Sequence, residues 1–221
     1  AVIKGFEACT RVGNSVGPKH YKIWHNTATC GTFGAAYAAG TLIGLNSGEL
    51  CHALGNAGTQ SSGLWEFVEN GSMSKHLHAG SAGQSGLIAA ELAQHGFSGS
   101  HTILEGDRGF YAACCPDATP EEILAEPESK WQIHQTSIKP WPCCRHTHPA
   151  IDAAIELSSK IDGDFPESIA VGLTQATIDV CDNPIPQTVY EAKFSINRKK
   201  LKVFKIVSFF KAKTTLKSIV F

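Results

Sequence analysis

The chain has 221 residues, and its 19 Lys and Arg nearly balance its 20 Asp and Glu, which gives a formal net charge of −1. Such a balance is unlike that of a domain that binds nucleic acid through positive charge, and no apolar run approaches the roughly 18 residues that span a bilayer. With a hydrophobic content of 43%, the composition predicts a packed globular protein that has neither nucleic acid nor membrane as a partner.

The near-zero charge is the sum of two unlike regions. Residues 197–221 hold eight of the 19 Lys and Arg and contain no acid, glycine or proline. Residues 1–196 therefore carry 11 bases against 20 acids, a net charge of −9, and all 21 glycines. The sequence thus joins an acidic, glycine-rich body to a basic tail.

The cysteines predict a reduced, cytoplasmic protein. Eight are present, including the adjacent pairs Cys114–Cys115 and Cys143–Cys144, a spacing unlike the disulfide framework of a secreted domain. Residues 1–12 show no secretory leader and are typical of the middle of an amphipathic helix. We therefore expect the N-terminus of the natural protein to lie upstream.

The first two predicted helices follow one another closely. Residues 27–45 are mostly small and predict a helix that ends at Gly44. Asn46, followed three residues later by Glu49, is typical of a capping box and predicts a second helix that extends to about residue 58.

A third helix is predicted over residues 77–95, with Gly96 in the left-handed position that ends many helices. Small side chains dominate this segment, so the helix is stable only if neighbouring helices approach it closely. His78 and Glu91 argue against a membrane location. The pattern predicts a tightly packed helical domain.

The second half of the sequence predicts shorter and more mixed secondary-structure elements than the first half. Residues 119–122, Thr-Pro-Glu-Glu, are typical of a helix start, and residues 134–142 are predicted to be extended because prolines interrupt them. Residues 149–161 predict a helix. Residues 168–174 alternate apolar and polar side chains and predict a half-buried strand, which residues 176–180 could continue.

These elements predict a mainly α protein with a smaller α+β part. Residues 1–133 form the helical part, and residues 134–196 form the α+β part. Residues 197–221 form the basic tail. No repeat or low-complexity tract is present.

Two short segments place charged or titratable side chains at predicted helix starts. His25 precedes the first helix, where the positive end of the dipole suits an anion and the imidazole can exchange a proton; a capping or surface histidine is the simpler alternative. If Lys75 begins the third helix, Lys75 and His78 share a face and can grip one carboxylate. A solvated lysine is the alternative there.

A third cluster lies where the predicted helical part meets the predicted α+β part, and the joints between domains often hold ligand pockets. It contains Lys139, Cys143, Cys144, Arg145, His146 and His148. Zinc is disfavoured because adjacent cysteines seldom both bind one ion and no second ligand pair is present. A catalytic cysteine has no local support. The residues alone predict a site for a small anionic substrate, without metal or cofactor.

Five motifs, spread over residues 1–196, resemble the MmgE/PrpD family. They are HNTATCGTFGAA (25–36), LGNAGTQSSGLWEF (54–67), SKHLHAG (74–80), KPWPCCRHTHPAIDAA (139–154) and QTVYEAKFSI (187–196). The resemblance implies a large all-helical domain joined to an α+β lid, both of them partial here. It also implies an active site in the cleft and, in the complete protein, a homodimer.

The resemblance also assigns roles to residues. The catalytic residues of the family fall on His25, Lys75 and Lys139. Four further positions are assigned to substrate contacts: His78, Cys144, Arg145 and His146. Cys144 stands where the decarboxylases of the family have histidine, which weighs against that activity. No metal is implied.

The implied reaction begins with removal of a proton beside a carboxylate. We expect a hydro-lyase that dehydrates a small di- or tricarboxylate such as 2-methylcitrate, in propionate metabolism. A decarboxylase or an epimerase of the same family is the alternative, as is an inactive truncated remnant. Arg198 stands where the family has a tyrosine, so we interpret residues 197–221 as misassigned sequence; a basic arm that binds membrane or nucleic acid is the alternative.

Overall fold

The computed structural model describes residues 1–125, 131–161, 170–181, 183 and 185–196. Over these residues the fold is mainly α-helical, as predicted, and it includes an isolated antiparallel bridge between Trp24 and Leu64. The chain divides into two compact units, the first spanning Ala1–Thr136 and the second beginning at Ser137. No helix in the described part is long and apolar enough to cross a membrane.

The first unit is built from helices that differ widely in length. Its α-helices are α1 (Val2–Ser15), α2 (Gly17–Tyr21), α3 (Asn26–Leu42), α4 (Ser47–Gly58), α5 (Ser74–Gln94) and α6 (Phe110–Cys114). Its 3₁₀ turns are Trp65–Val68, Pro120–Ile123 and Gln132–Gln135. The long helices α1, α3, α4 and α5 pack on one another, with α3 in contact with the other three.

Helices α3 and α5 run side by side in the same direction. A Cβ built on Gly31 would lie 3.5 Å from Ala82, and one turn later a Cβ on Gly86 would lie 2.6 Å from the backbone nitrogen of Ala36. Because residue numbers rise together along both helices, the packing is parallel. Their N-termini therefore lie at the same end of the unit.

Glycine also permits the close crossing of α1 and α3, which run antiparallel. A Cβ on Gly34 would lie 2.6 Å from Cys9 Cβ, and one on Gly5 would lie 2.7 Å from the carbonyl oxygen of Gly34. Side chains of normal size would hold these backbones apart. The predicted close approach of thin helices is confirmed.

The largest apolar cluster of the first unit surrounds Phe33, which is fully buried. Its buried members are Val12, Val16, Cys30, Phe33, Phe110, Tyr111 and Cys115. A smaller cluster joins Ala53 of α4 to Ala90 and Ala93 of α5. Burial of a side chain such as Phe33 contributes about 1.5–3 kcal/mol to folding, so this core fixes the position of α3.

The local helix signals in the first unit are largely confirmed. Asn46 Oδ1 accepts a hydrogen bond from the Glu49 backbone, and the Glu49 carboxylate accepts one from the Asn46 backbone, which completes the capping box. Gly44 and Gly96 both have positive φ, 81° in each case, directly after their helices. Helix α5 begins three residues earlier than predicted, at Ser74.

The second unit contains α7 (His148–Ser158), α8 (Gln175–Cys181) and α9 (Val189–Ala192) among its described residues, and a 3₁₀ turn at Arg145–Thr147. Its apolar cluster is formed by Cys144, Cys181 and Ile196.

The strand prediction is wrong for residues 176–180, which lie within α8. The Thr174 hydroxyl accepts a hydrogen bond from the Thr177 backbone and so favours a helix start over an extended chain. Residues 170–174 form no strand either. The rest of the predicted strand, 168–169, and the tail, 197–221, lie outside the described residues.

Candidate functional site

His25 is held by its backbone at the start of α3. It is the N-cap residue, with the extended angles φ −83° and ψ 108°. Its N–H donates to the carbonyl oxygen of Gly63 at 3.0 Å, while its own carbonyl accepts from Ala28 at 2.8 Å and Thr29 at 3.1 Å. His25 is 6% exposed, so the residue that the sequence singled out is buried.

The segment that holds His25 requires glycine at position 63. Gly63 has φ +130°, and a Cβ there would overlap Ala28 and lie 3.4 Å from the ring of His78. Two residues further on, the backbone N–H of Trp65 donates to the carbonyl oxygen of Ile23 at 3.0 Å. Backbone hydrogen bonds therefore fix both sides of His25.

The imidazoles of His25 and His78 form a direct hydrogen bond. Their Nδ1 atoms lie 3.0 Å apart, and their ring centroids lie 5.2 Å apart. Because a hydrogen bond needs one donor and one acceptor, a single proton occupies the space between the two nitrogens. Trp65 and Phe67 pack against the His25 ring, with centroid distances of 4.7 and 6.1 Å.

Lys75 joins this pair from the first turn of α5. Its Nζ lies 5.8 Å from the centroid of the Trp65 ring, within reach of a cation–π interaction. Burial lowers the pKa of His78, and the Lys75 ammonium lowers it further. Both effects favour the neutral form of His78.

A cleft of about 400 Å³ opens beside the cluster. Its lining residues are Trp24, Ser62, Gly63, Leu64, Glu66, Phe67, Ser74 and His78. The N-terminal ends of α3 and α5 lie at this end of the unit, and neither has an acidic residue in its first turn. Two positive dipole ends, with Lys75 on the first turn of α5, make this end of the unit suited to an anion, and Glu66 is the acidic residue of the cleft lining.

His20 lies in the interior of the same unit and is fully buried. Its Nδ1 donates to the carbonyl oxygen of Cys114 at 2.9 Å, and its Nε2 accepts from the hydroxyl of Thr29, also at 2.9 Å. Burial lowers the pKa of His20, although the Cys114 carbonyl and Asp117 oppose the shift. With both ring nitrogens bonded inside the protein, His20 has a structural role.

The predicted site residues of the second unit include two exposed cations on one short loop. Lys139 Nζ donates to the carbonyl oxygen of Cys143, and an Arg145 guanidinium nitrogen donates to that of Ile138, each at 3.4 Å. His146 is half-buried and follows Arg145. Both cations thus bond to backbone carbonyls of their own segment.

The two thiols of that segment are poor candidates for a nucleophile or a metal ligand. Burial raises the pKa of Cys143, whose sulfur lies 3.0 Å from the Thr147 hydroxyl. Cys144 is 6% exposed and packs in the apolar cluster of its unit. No group of three or more His, Cys, Asp or Glu in the described part of the chain is arranged to hold a metal ion.

Three residues around the site were missing from the sequence prediction: His20, Gly63 and Trp65. Gly63 carries a local signal, since a glycine in a short loop often has a positive φ. His20 and Trp65 carry none, because their contacts to Thr29 and His25 depend on how α2, α3 and the 3₁₀ turn at Trp65–Val68 pack together.

Comparison with known proteins gives the relationship. Residues 1–123 match the MmgE/PrpD N-terminal domain, and residues 141–197 match the MmgE/PrpD C-terminal domain. The chain is 30% identical to a cis-aconitate decarboxylase of Aspergillus terreus over 176 residues, which cover 76% of this chain and 35% of the relative.

Two further relatives have similar names. One is the cis-aconitate decarboxylase-like protein oryM of Aspergillus oryzae, 28% identical over 180 residues, which cover 77% of this chain and 36% of the relative. The other is the cis-aconitate decarboxylase of Homo sapiens, 26% identical over 183 residues, which cover 79% and 37%. The chain spans about a third of the length of these relatives. On the two domain matches, the chain belongs to the MmgE/PrpD family.

Proposed function

We propose that the cleft of the first unit binds a small di- or tricarboxylate and that the protein acts on it as a lyase. The observation that supports this is the cluster of His25, His78 and Lys75 at the parallel N-termini of α3 and α5. The cluster combines a cation for a carboxylate with an imidazole that exchanges protons near neutral pH.

The chemistry requires both parts of the cluster. A proton on a carbon beside a carboxylate is weakly acidic, so a base must remove it while a cation stabilises the charge that moves onto the carboxylate. We assign the base to His25 and the carboxylate contact to Lys75. Lys139 is proposed as a second catalytic lysine, and His78, Arg145, Cys144 and His146 are proposed as substrate contacts, as the sequence predicts.

Dehydration is the reaction that the sequence favours. In a substrate such as 2-methylcitrate, the C–H bond breaks, its electron pair forms the double bond, and the hydroxyl leaves with a proton as water. His25 takes the proton from carbon, and an acid supplies the proton to the leaving hydroxyl.

Decarboxylation is the second candidate, because the relatives reported above are named for cis-aconitate. There the C–C bond to a carboxylate breaks, CO₂ leaves, and the carbon accepts a proton. Both reactions need a cation at a carboxylate and an imidazole beside carbon. Cys144, at a histidine position of the decarboxylases, favours dehydration. The homodimer remains a prediction.

The test measures whether the chain exchanges or removes a proton on a substrate carbon. The chain is incubated in D₂O with 2-methylcitrate or cis-aconitate, and proton NMR measures deuterium at carbon, the alkene product and the decarboxylated product. We expect one of the three signals above the enzyme-free background. Their absence for both substrates would overturn the proposal for this chain.

A matched pair of variants assigns the role of His25. His25→Ala removes the base and is expected to lower the rate by roughly 10²–10⁴-fold. His95→Ala is the control, because His95 is exposed just after the far end of α5 and its imidazole bonds to the Glu91 carbonyl of its own helix. Near-normal turnover in His25→Ala would contradict the assignment.

A further inference from the structure

Glu66 is the acidic side chain of the cleft that His78 lines. It is exposed, and within the described part of the chain its carboxylate belongs to neither of the two ion pairs, Arg11–Glu7 and Lys160–Glu156. A carboxylate beside a bound anion repels it. Such a group is therefore out of place in a carboxylate site unless it binds something that the ligand donates.

The 3₁₀ turn Trp65–Val68 fixes the place of Glu66 in the cleft. The rings of Trp65 and Phe67, on either side of Glu66, stack with a centroid distance of 5.3 Å, and both pack on His25. Phe67 is buried. The backbone of Glu66 is thus anchored by both neighbours, while its own side chain lies in the lining.

The lining offers Glu66 as its strongest hydrogen-bond acceptor. The other polar side chains of the lining are those of Trp24, Ser62, Ser74 and His78. An indole only donates, and a hydroxyl or an imidazole accepts as a neutral group, whereas an ionised carboxylate accepts with a full charge and forms stronger bonds. A tricarboxylate anion has acceptors on its carboxylates, so a hydroxyl group is the part of it that donates.

We propose that Glu66 determines specificity in this cleft by accepting a hydrogen bond from the hydroxyl group of a hydroxytricarboxylate. An analogue without the hydroxyl leaves the Glu66 carboxylate beside an anion with no compensating bond, and sites built around a substrate hydroxyl reject such analogues strongly. The inference rests on the proposed function only in that the cleft binds a carboxylate; it does not require turnover.

Citrate and tricarballylate (propane-1,2,3-tricarboxylate) are the two probes. They have the same three carboxylates on the same carbon skeleton and differ in the hydroxyl group on the central carbon. Isothermal titration of the chain at pH 8 measures the affinity for each. The wild-type chain should bind citrate roughly 10- to 100-fold more tightly, the range for one hydrogen bond to a charged group. Equal affinities would overturn the proposal.

Three variants assign the preference to Glu66. Glu66→Leu removes the acceptor, and the two affinities should become equal. Glu66→Gln keeps a neutral acceptor of the same shape and should retain part of the preference. Glu69→Gln is the control, because Glu69 is exposed directly after the same 3₁₀ turn and lies outside the lining; it should leave the preference unchanged.

The ratio of the two affinities separates a hydrogen bond from simple repulsion. If Glu66 only repels anions, its replacement raises the affinity for both ligands alike and the ratio stays as in the wild type, which would overturn the proposal. Thermal unfolding checks that each variant is folded, and Glu66→Gln decides the question if Glu66→Leu is not.

The same measurements distinguish this inference from the proposed function. A chain that prefers citrate but gives no signal in the D₂O experiment retains the Glu66 contact and loses the lyase activity. A chain that turns a substrate over but binds both probes alike retains the lyase activity and loses the Glu66 contact. Binding of neither probe would overturn the carboxylate site and this inference together.

Discussion

The first turns of α3 and α5 differ from the bodies of the same helices in what their side chains do. Along the bodies, Phe33, Gly86 and their neighbours are buried and pack helix against helix. At the first turn of α5, Lys75 lies over the Trp65 ring and His78 lines a cleft. Because the bodies are packed in parallel, two first turns that are far apart in sequence meet at one place. Stability and chemistry thus occupy different lengths of the same two helices.

The largest effect on stability is expected from the body of α3. Phe33→Ala removes a fully buried ring from the main apolar cluster, and the cavity that it leaves should lower the free energy of unfolding by about 3–5 kcal/mol. Urea denaturation monitored by circular dichroism measures the change. Phe97→Ala is the control, because Phe97 is largely exposed and should change stability by no more than about 0.5 kcal/mol.

The first turn of α5 is expected to show the opposite behaviour. Lys75→Gln removes the ammonium group, and the loss of one charged hydrogen bond should weaken carboxylate binding by about 1.5–3 kcal/mol, roughly 10- to 100-fold. Isothermal titration of the chain with a tricarboxylate measures the affinity. The free energy of unfolding should stay within about 1 kcal/mol of the wild type, the scale of the cation–π contact between Lys75 and Trp65.

Lys4→Gln is the control for that measurement, since Lys4 is exposed on α1. Equal loss of affinity in both variants would mean that net charge, and not the cleft, attracts the anion. A large loss of stability in Lys75→Gln would contradict the division between binding at the first turns and stability in the helix bodies.

The local elements were predictable, whereas the meeting of the first turns was not. The capping box of Asn46 and Glu49 and the glycine stops after α3 and α5 depend on neighbouring residues. Residues 176–180 were predicted as a possible continuation of the alternating segment before them, but the hydroxyl of Thr174 starts a helix there.

The candidate site was predictable only in part. His25, Lys75 and His78 stood out because a cation and two imidazoles lie at helix starts. Their pairing depends on the parallel packing of α3 and α5, which is set by contacts such as Gly86 against Ala36. Such long-range contacts leave no local signal in one sequence.

Two glycines of α5, one turn apart, test whether the close contact between α5 and α3 is confined to one face of α5. Gly86→Ala places a Cβ 2.6 Å from the Ala36 backbone nitrogen and should lower stability by about 1–3 kcal/mol. Gly83→Ala meets nothing within 4 Å and should raise stability by about 0.5–1 kcal/mol, because alanine favours the helix. Denaturation midpoints of the pair measure both effects. A change of the same sign in both variants would contradict the parallel contact.

The smallest effect is expected from acid, and it separates the interior histidine from the cleft. Burial holds the pKa of His20 below its unfolded value of about 6.5, so the unfolded chain binds more protons as the pH falls below that value. Stability conferred by neutral His20 is therefore present above about pH 6.5 and declines towards lower pH, by at most about 1.4 kcal/mol per pH unit.

Urea denaturation between pH 7.5 and 5 measures this slope in three proteins. His78 has its pKa lowered in the same direction and contributes a slope of its own, so the wild type should show the steepest decline. His20→Gln, which keeps a polar side chain at the Thr29 hydroxyl, should flatten the decline, and so should His78→Asn. If only the His78 variant flattens it, the interior is insensitive to acid and the pH dependence belongs to the cleft. If only the His20 variant does so, His78 titrates alike in the folded and unfolded chain, and the pH dependence belongs to the interior.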